Sequence, residues 1–165
     1  MATKIPTAED RDAAIRIALE GIAVGGDLSS VRRQLDALHP RNDTFPGEVL
    51  VELAADAIDY SGASRAAPIE FEKIRERYLP ECGARTKAQH HKSEFALRAA
   101  AMLRGGVDPG LLDEVMWWQS DDLWVWAFDA LIVYVRVAAE RRTDSVAQVC
   151  EHLATAHGIE LTIPV

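Results

Sequence analysis

The stretch Leu123–Val137, LWVWAFDALIVYVRV, decides the fold of this chain. On a helix it is apolar nearly all round, and Asp129 and Arg136 continue a single polar line that begins at Asp122. A helix with so narrow a polar stripe must pack against other elements on most of its sides. The run is also shorter than the ~20 residues that a membrane-spanning helix needs. It therefore predicts a buried helix at the centre of an all-α domain.

Length and composition predict one globular helical domain. The chain has 165 residues, of which 48% are hydrophobic and 27% charged, as is typical of soluble proteins. Abundant alanine and few β-branched residues favour helix over strand. Capping residues, prolines and glycines divide the sequence into about eight helices. We expect a single domain over residues 1–165, either a compact irregular bundle or a short stack of helix pairs similar to HEAT repeats.

Helix ends can be read from capping residues. Thr7 with Asp10 forms a capping box that predicts the start of the first helix, and Thr143-Asp144 predicts the start of the eighth. After that helix, residues 159–165 alternate apolar and polar side chains, the period of a strand. This pattern predicts an extended tail that covers a seam between helices or adds to a second copy of the chain, giving a homodimer.

The second half of the sequence resembles the first in its apolar spacing. The pair Gly25-Gly26 recurs as Gly105-Gly106, at the same offset as the apolar residues that precede it. Those residues are Ile15, Leu19 and Ile22 in the first half and Phe95, Ala99 and Met102 in the second. The match predicts two duplicated four-helix halves, 7–83 and 86–158. Amphipathic helices match one another readily, so chance similarity is the alternative.

Charge and cysteine content restrict the class of function. A formal net charge of −8 argues against nucleic-acid binding, which depends on lysine and arginine replacing counterions along the phosphate backbone. Two cysteines are too few for a disulfide framework and favour a cytoplasmic location. The first dozen residues lack an apolar signal core. We expect no membrane association.

The tryptophans before and within the central helix give two candidate sites. Trp117 and Trp118 are adjacent, so they cannot face the same way on a helix, and one of them should lie at a groove edge beside Asp121 and Asp122. Exposed tryptophan is enriched at binding hot spots. This predicts a partner-binding surface at those four residues. The alternative is a ligand pocket that is built from Trp124, Trp126 and Asp129.

Asp129 has two interpretations. A carboxylate buried in an apolar helix has a raised pKa and suits general acid–base chemistry. The structural interpretation, which we favour, is that its polar line faces solvent or pairs with an arginine elsewhere.

Two further clusters contain residues that bind metals. His90, His91 and Glu94 share one predicted helix, but no second histidine–carboxylate pair completes a closed site. Cys150, His152 and His157 do not face one another on a helix. We therefore predict no metal and no cofactor, with a solvated face and a buried thiol instead.

The leading hypothesis is a non-enzymatic, cytoplasmic protein–protein interaction module whose acidity masks a basic partner. A small-ligand- or metal-binding helical bundle, with or without catalysis, is the first alternative. A DNA-binding regulator, with Arg32 and Arg33 on its recognition helix, is the second.

Overall fold

The computed structural model describes residues 7–25, 28–38, 45–61 and 123–163, and within them every regular element is an α-helix. Five helices are present in these ranges: α1 (Ala8–Val24), α2 (Leu28–Leu38), α3 (Gly47–Tyr60), α4 (Leu123–Arg142) and α5 (Val146–Ala156). They correspond to the first, second, third, seventh and eighth predicted helices. The all-α prediction is thereby confirmed for the described residues. The total of eight helices and the duplication of 7–83 in 86–158 depend on residues 62–122, which lie outside them.

The ends of α1 have local causes. Thr7 is extended and accepts a hydrogen bond from the backbone N–H of Asp10, whose carboxylate accepts one from the Thr7 N–H. This is the predicted capping box. At the other end Gly25 adopts a left-handed conformation with φ of 71°, which an L side chain disfavours.

The predicted start of the last helix is wrong by one or two residues. Ser145, rather than Thr143 or Asp144, caps α5, and its hydroxyl accepts from the N–H of Gln148 in a second capping box. Thr143 has a positive φ of 57° and so belongs to the turn that ends α4. The Asp144 carboxylate accepts a hydrogen bond from the Tyr60 hydroxyl at 2.7 Å instead of capping the helix.

Helix α4 is the centre of the core. Apart from the half-buried Arg136, every residue from 127 to 139 is at most 8% exposed. Among the described helices, α3 makes the most extensive contacts with α4, and α5 packs on it as well. Helix α1 contacts α2, α3 and α5 and so closes the bundle around the same core. The apolar run behaves as its sequence predicts over these residues, because its neighbours cover it on nearly every side.

Helix α2 lies close to α1 but reaches α4 mainly through side chains. Gly21 of α1 stands directly against Val31 of α2, so that a methyl group on Gly21 would overlap the valine side chain. The backbones of α2 and α4, by contrast, make few close approaches. Arg32 makes such a side-chain contact with Asp129 of α4.

The described part of the tail, residues 159–163, runs beside α1. Ile159 is buried in the core, and the carbonyl oxygen of Glu160 accepts a hydrogen bond from Arg16 at 2.8 Å. The Thr162 N–H donates to Glu20 at 2.9 Å. The tail therefore covers a surface of α1, and within these five residues it forms no strand.

Candidate functional site

The predicted partner-binding residues lie outside the described part of the chain. These are Trp117, Trp118, Asp121 and Asp122, which directly precede the start of α4 at Leu123. The same holds for His90, His91 and Glu94. The backbone places Trp124 and Trp126 in the first turn of α4.

Asp129 is buried and forms an ion pair. Its side chain is 4% exposed, and its Oδ1 accepts a hydrogen bond from Nη2 of Arg32 at 2.9 Å. The guanidinium of Arg32 also lies 5.5 Å from the centre of the Phe128 ring, within the range of a cation–π contact. Arg32 is partly exposed. It thus reaches from the outer helix α2 to a carboxylate in the core.

Burial and the ion pair act on Asp129 in opposite directions. Burial raises the pKa of Asp129 to about 6, while the charge and hydrogen bond of Arg32 limit the rise. The carboxylate is therefore ionised at neutral pH and titrates a little below it. A general base must also reach its substrate, and a side chain so little exposed offers no such access. The geometry supports the structural interpretation, in which Asp129 pairs with an arginine from another helix.

A cavity of about 240 Å³ lies along the same side of α4. Ile132 and Arg136 of α4 line it, together with residues from the facing ends of three other helices. Those residues are Ile22, Ala23 and Gly25 at the end of α1, Leu28 at the start of α2 and Val146 at the start of α5. Polar and apolar atoms both contribute substantially to the walls, and Arg136 is the one charged residue among the seven that line the cavity. Such a combination can hold a small molecule with an apolar body and an anionic group.

The sequence did not predict this cavity. Arg136 was visible as a member of the polar line on α4, but an amphipathic pattern reports which face of a helix is polar. This pattern carries no information on the distance to the neighbouring helix. The close contact of α2 with α1 at Gly21 has no local signal beyond the glycine itself.

A polar network joins the C-terminal ends of α3 and α4 to α5. The Tyr60 ring stacks on His152 with 3.9 Å between ring centres, and the Arg142 guanidinium lies 4.7 Å from the same ring. Nε of Arg142 donates to the Tyr60 carbonyl oxygen at 2.6 Å. The hydrogen bond to Asp144 raises the pKa of the Tyr60 hydroxyl. We interpret the network as structural contacts that hold these three helices together.

Cys150, His152 and His157 point into different surroundings. Cys150 is fully buried, and burial raises the pKa of its thiol to about 12, so the thiol stays neutral. His152 stacks on Tyr60, and Nε2 of His157 lies 3.0 Å from Asp56 on α3. In the ranges that the structure describes, no three histidine, cysteine or acidic side chains converge as metal ligands.

None of the described helices combines the length and the hydrophobicity needed to cross a bilayer. Comparison with known proteins gives no match among protein families, curated proteins or solved structures.

Proposed function

We propose that this chain is a non-enzymatic, cytoplasmic interaction module that binds a protein partner through electrostatic complementarity with a basic surface. The observation that carries the proposal is the distribution of charge. The described ranges contain 14 acidic and 7 basic residues, whereas the remaining chain is nearly balanced, with 12 and 11. The negative charge is therefore concentrated in the described ranges, and an excess of this sign attracts positively charged proteins.

Helix α3 contributes most to this distribution. Its residues Gly47–Tyr60 include four acidic side chains and no basic one. Glu52 and Asp59 are exposed, and Glu52 pairs with Arg11 at 2.9 Å. An exposed pair of this kind leaves both side chains accessible and contributes little to stability, so a partner can replace it.

The DNA-binding alternative gains less support. It requires Arg32 and Arg33 of α2 to face the phosphate backbone, yet the Arg32 guanidinium is engaged by the buried Asp129. Withdrawing the Arg32 guanidinium would remove this cation from the buried Asp129 carboxylate, which is costly.

Affinity capture with the purified chain as bait tests the interaction proposal. We expect basic proteins to be retained at about 0.05 M salt and released at about 1 M, where the Debye length falls to about 3 Å. Replacing Glu52→Gln and Asp59→Gln together should weaken retention. The matched control, Glu52→Asp with Asp59→Glu, keeps the charge and should retain the same proteins. Recovery of no basic protein at low salt, or retention that is insensitive to salt, would overturn the proposal.

A further inference from the structure

The cavity between α1, α2, α4 and α5 has the size of a small organic molecule. A cavity of about 150 Å³ accommodates benzene, and the volume here is about 240 Å³. Scaled in the same proportion, it takes roughly ten non-hydrogen atoms. This is below the range of drug-sized ligands, so the occupant must be compact.

The chemistry of the walls favours an anion with an apolar body. Ile22, Leu28 and Ile132 provide hydrocarbon surface, and Arg136 is the cationic residue among the lining side chains. A guanidinium has five N–H donors in a planar fork, so it can hold a carboxylate in a bidentate arrangement while keeping other contacts. A neutral molecule would gain only a weaker hydrogen bond from this group, and a cation would be repelled by it.

The helix ends add a smaller contribution of the same sign. Leu28 and Val146 are the first residues of α2 and α5, and helix N-termini carry partial positive charge. The end of α1 at Gly25 contributes the opposite sign. Two N-termini against one C-terminus leave a net preference for an anion. Asp129 lies two helical turns from Arg136, about 10 Å along the axis, and its charge is balanced by Arg32.

We propose that this cavity binds a small carboxylate with an apolar body and roughly ten non-hydrogen atoms in the whole molecule. The carboxylate contacts Arg136, and the body packs against Ile22, Leu28 and Ile132. The proposal is independent of the interaction with a basic partner, because it uses a cationic residue and an interior surface.

Titration calorimetry with octanoate tests the proposal, with octanol as the neutral molecule of matched length. We expect saturable octanoate binding with one site per chain and binding of octanol that is weaker by about tenfold or more, as the loss of charged hydrogen bonds implies. Arg136→Gln should reduce the octanoate affinity to about that of octanol. Arg141→Gln, which removes an exposed arginine from the same helix, is the matched control and should change neither.

A second variant keeps the test decisive if Arg136→Gln does not fold. Ala23→Leu adds side-chain volume at the cavity wall and should weaken octanoate and octanol together. Absence of saturable octanoate binding, equal binding of octanoate and octanol by the wild type, or full octanoate binding by the folded Arg136→Gln variant would each overturn the proposal.

Discussion

At the scale of single residues, Asp129 shows what a sequence can and cannot predict. The sequence left two interpretations, a buried carboxylate with a raised pKa or a polar line that faces solvent or pairs with an arginine. The structure shows the burial, which raises the pKa of Asp129 to about 6, together with the pairing. Its partner could not be predicted, because Arg32 lies on another helix and is one of 18 lysines and arginines. Pairing across the fold depends on how two helices are oriented, which neither local sequence encodes.

The raised pKa of Asp129 predicts a specific dependence of stability on pH. The folded pKa of about 6 exceeds the value of about 3.9 for an unfolded aspartate, so the folded state binds the proton more tightly. The contribution of Asp129 to the free energy of unfolding is therefore fully present below about pH 4 and is lost as the pH rises through about 6. The loss is about 3 kcal/mol in the free energy of unfolding.

Replacing Asp129→Asn removes this dependence. The free energy of unfolding of the variant minus that of the wild type should rise by about 3 kcal/mol from about pH 4 to about pH 7. Urea denaturation at each pH measures this difference. Asp36→Asn, which removes an exposed aspartate from α2, controls for the loss of a negative charge. A stability difference between Asp129→Asn and wild type that stays constant over this range would contradict the account.

At the scale of elements, helix ends were predicted where the capping residues had no competitor. Thr7 and Asp10 formed the expected box at the start of α1. At the start of α5, three consecutive residues could each cap a helix, and the backbone decided among them. Thr143 takes the positive φ that ends α4, and the Asp144 carboxylate is engaged by Tyr60. Ser145 is the residue that remains.

Removing the α5 cap should cost about 1 kcal/mol in the free energy of unfolding. In the wild type, the N–H of Gln148 donates to the Ser145 hydroxyl at 3.1 Å. Ser145→Ala removes that acceptor. Ser145→Asp restores an acceptor and should remain close to wild type. Chemical denaturation of both variants provides the measurement, and equal loss in the two would show that the cap is not the cause.

The contact of α1 with α2 gives a second prediction at this scale. Gly21→Ala places a methyl group into the side chain of Val31, and overpacking of this kind typically costs about 1–3 kcal/mol. Val31→Ala in the same chain removes the overlap. In a double-mutant cycle, the second substitution should therefore cost less in the Gly21→Ala background than in the wild type. Strict additivity of the two changes would mean that the helices do not meet here.

At the scale of the whole molecule, the decisive feature is the enclosure of α4. Its all-round apolar sequence was sufficient to predict a central helix, because no other arrangement removes so much of its surface from water. The cavity beside Arg136 was not predictable, since it depends on how the ends of α1, α2 and α5 are placed against α4. The duplication of the two halves and the groove at Trp117–Asp122 remain predictions, because both depend on residues outside the described ranges.

Native-state hydrogen exchange of the backbone amides tests the enclosure of α4 most directly. We predict that amides from Leu131 to Ala138 exchange only when the entire protein unfolds, with exchange free energies equal to the free energy of unfolding. Helix α2, which buries only Val31 and Leu35, provides the internal comparison and should exchange through smaller openings at lower free energy. Exchange of the α4 amides as readily as those of α2 would contradict the central position of this helix.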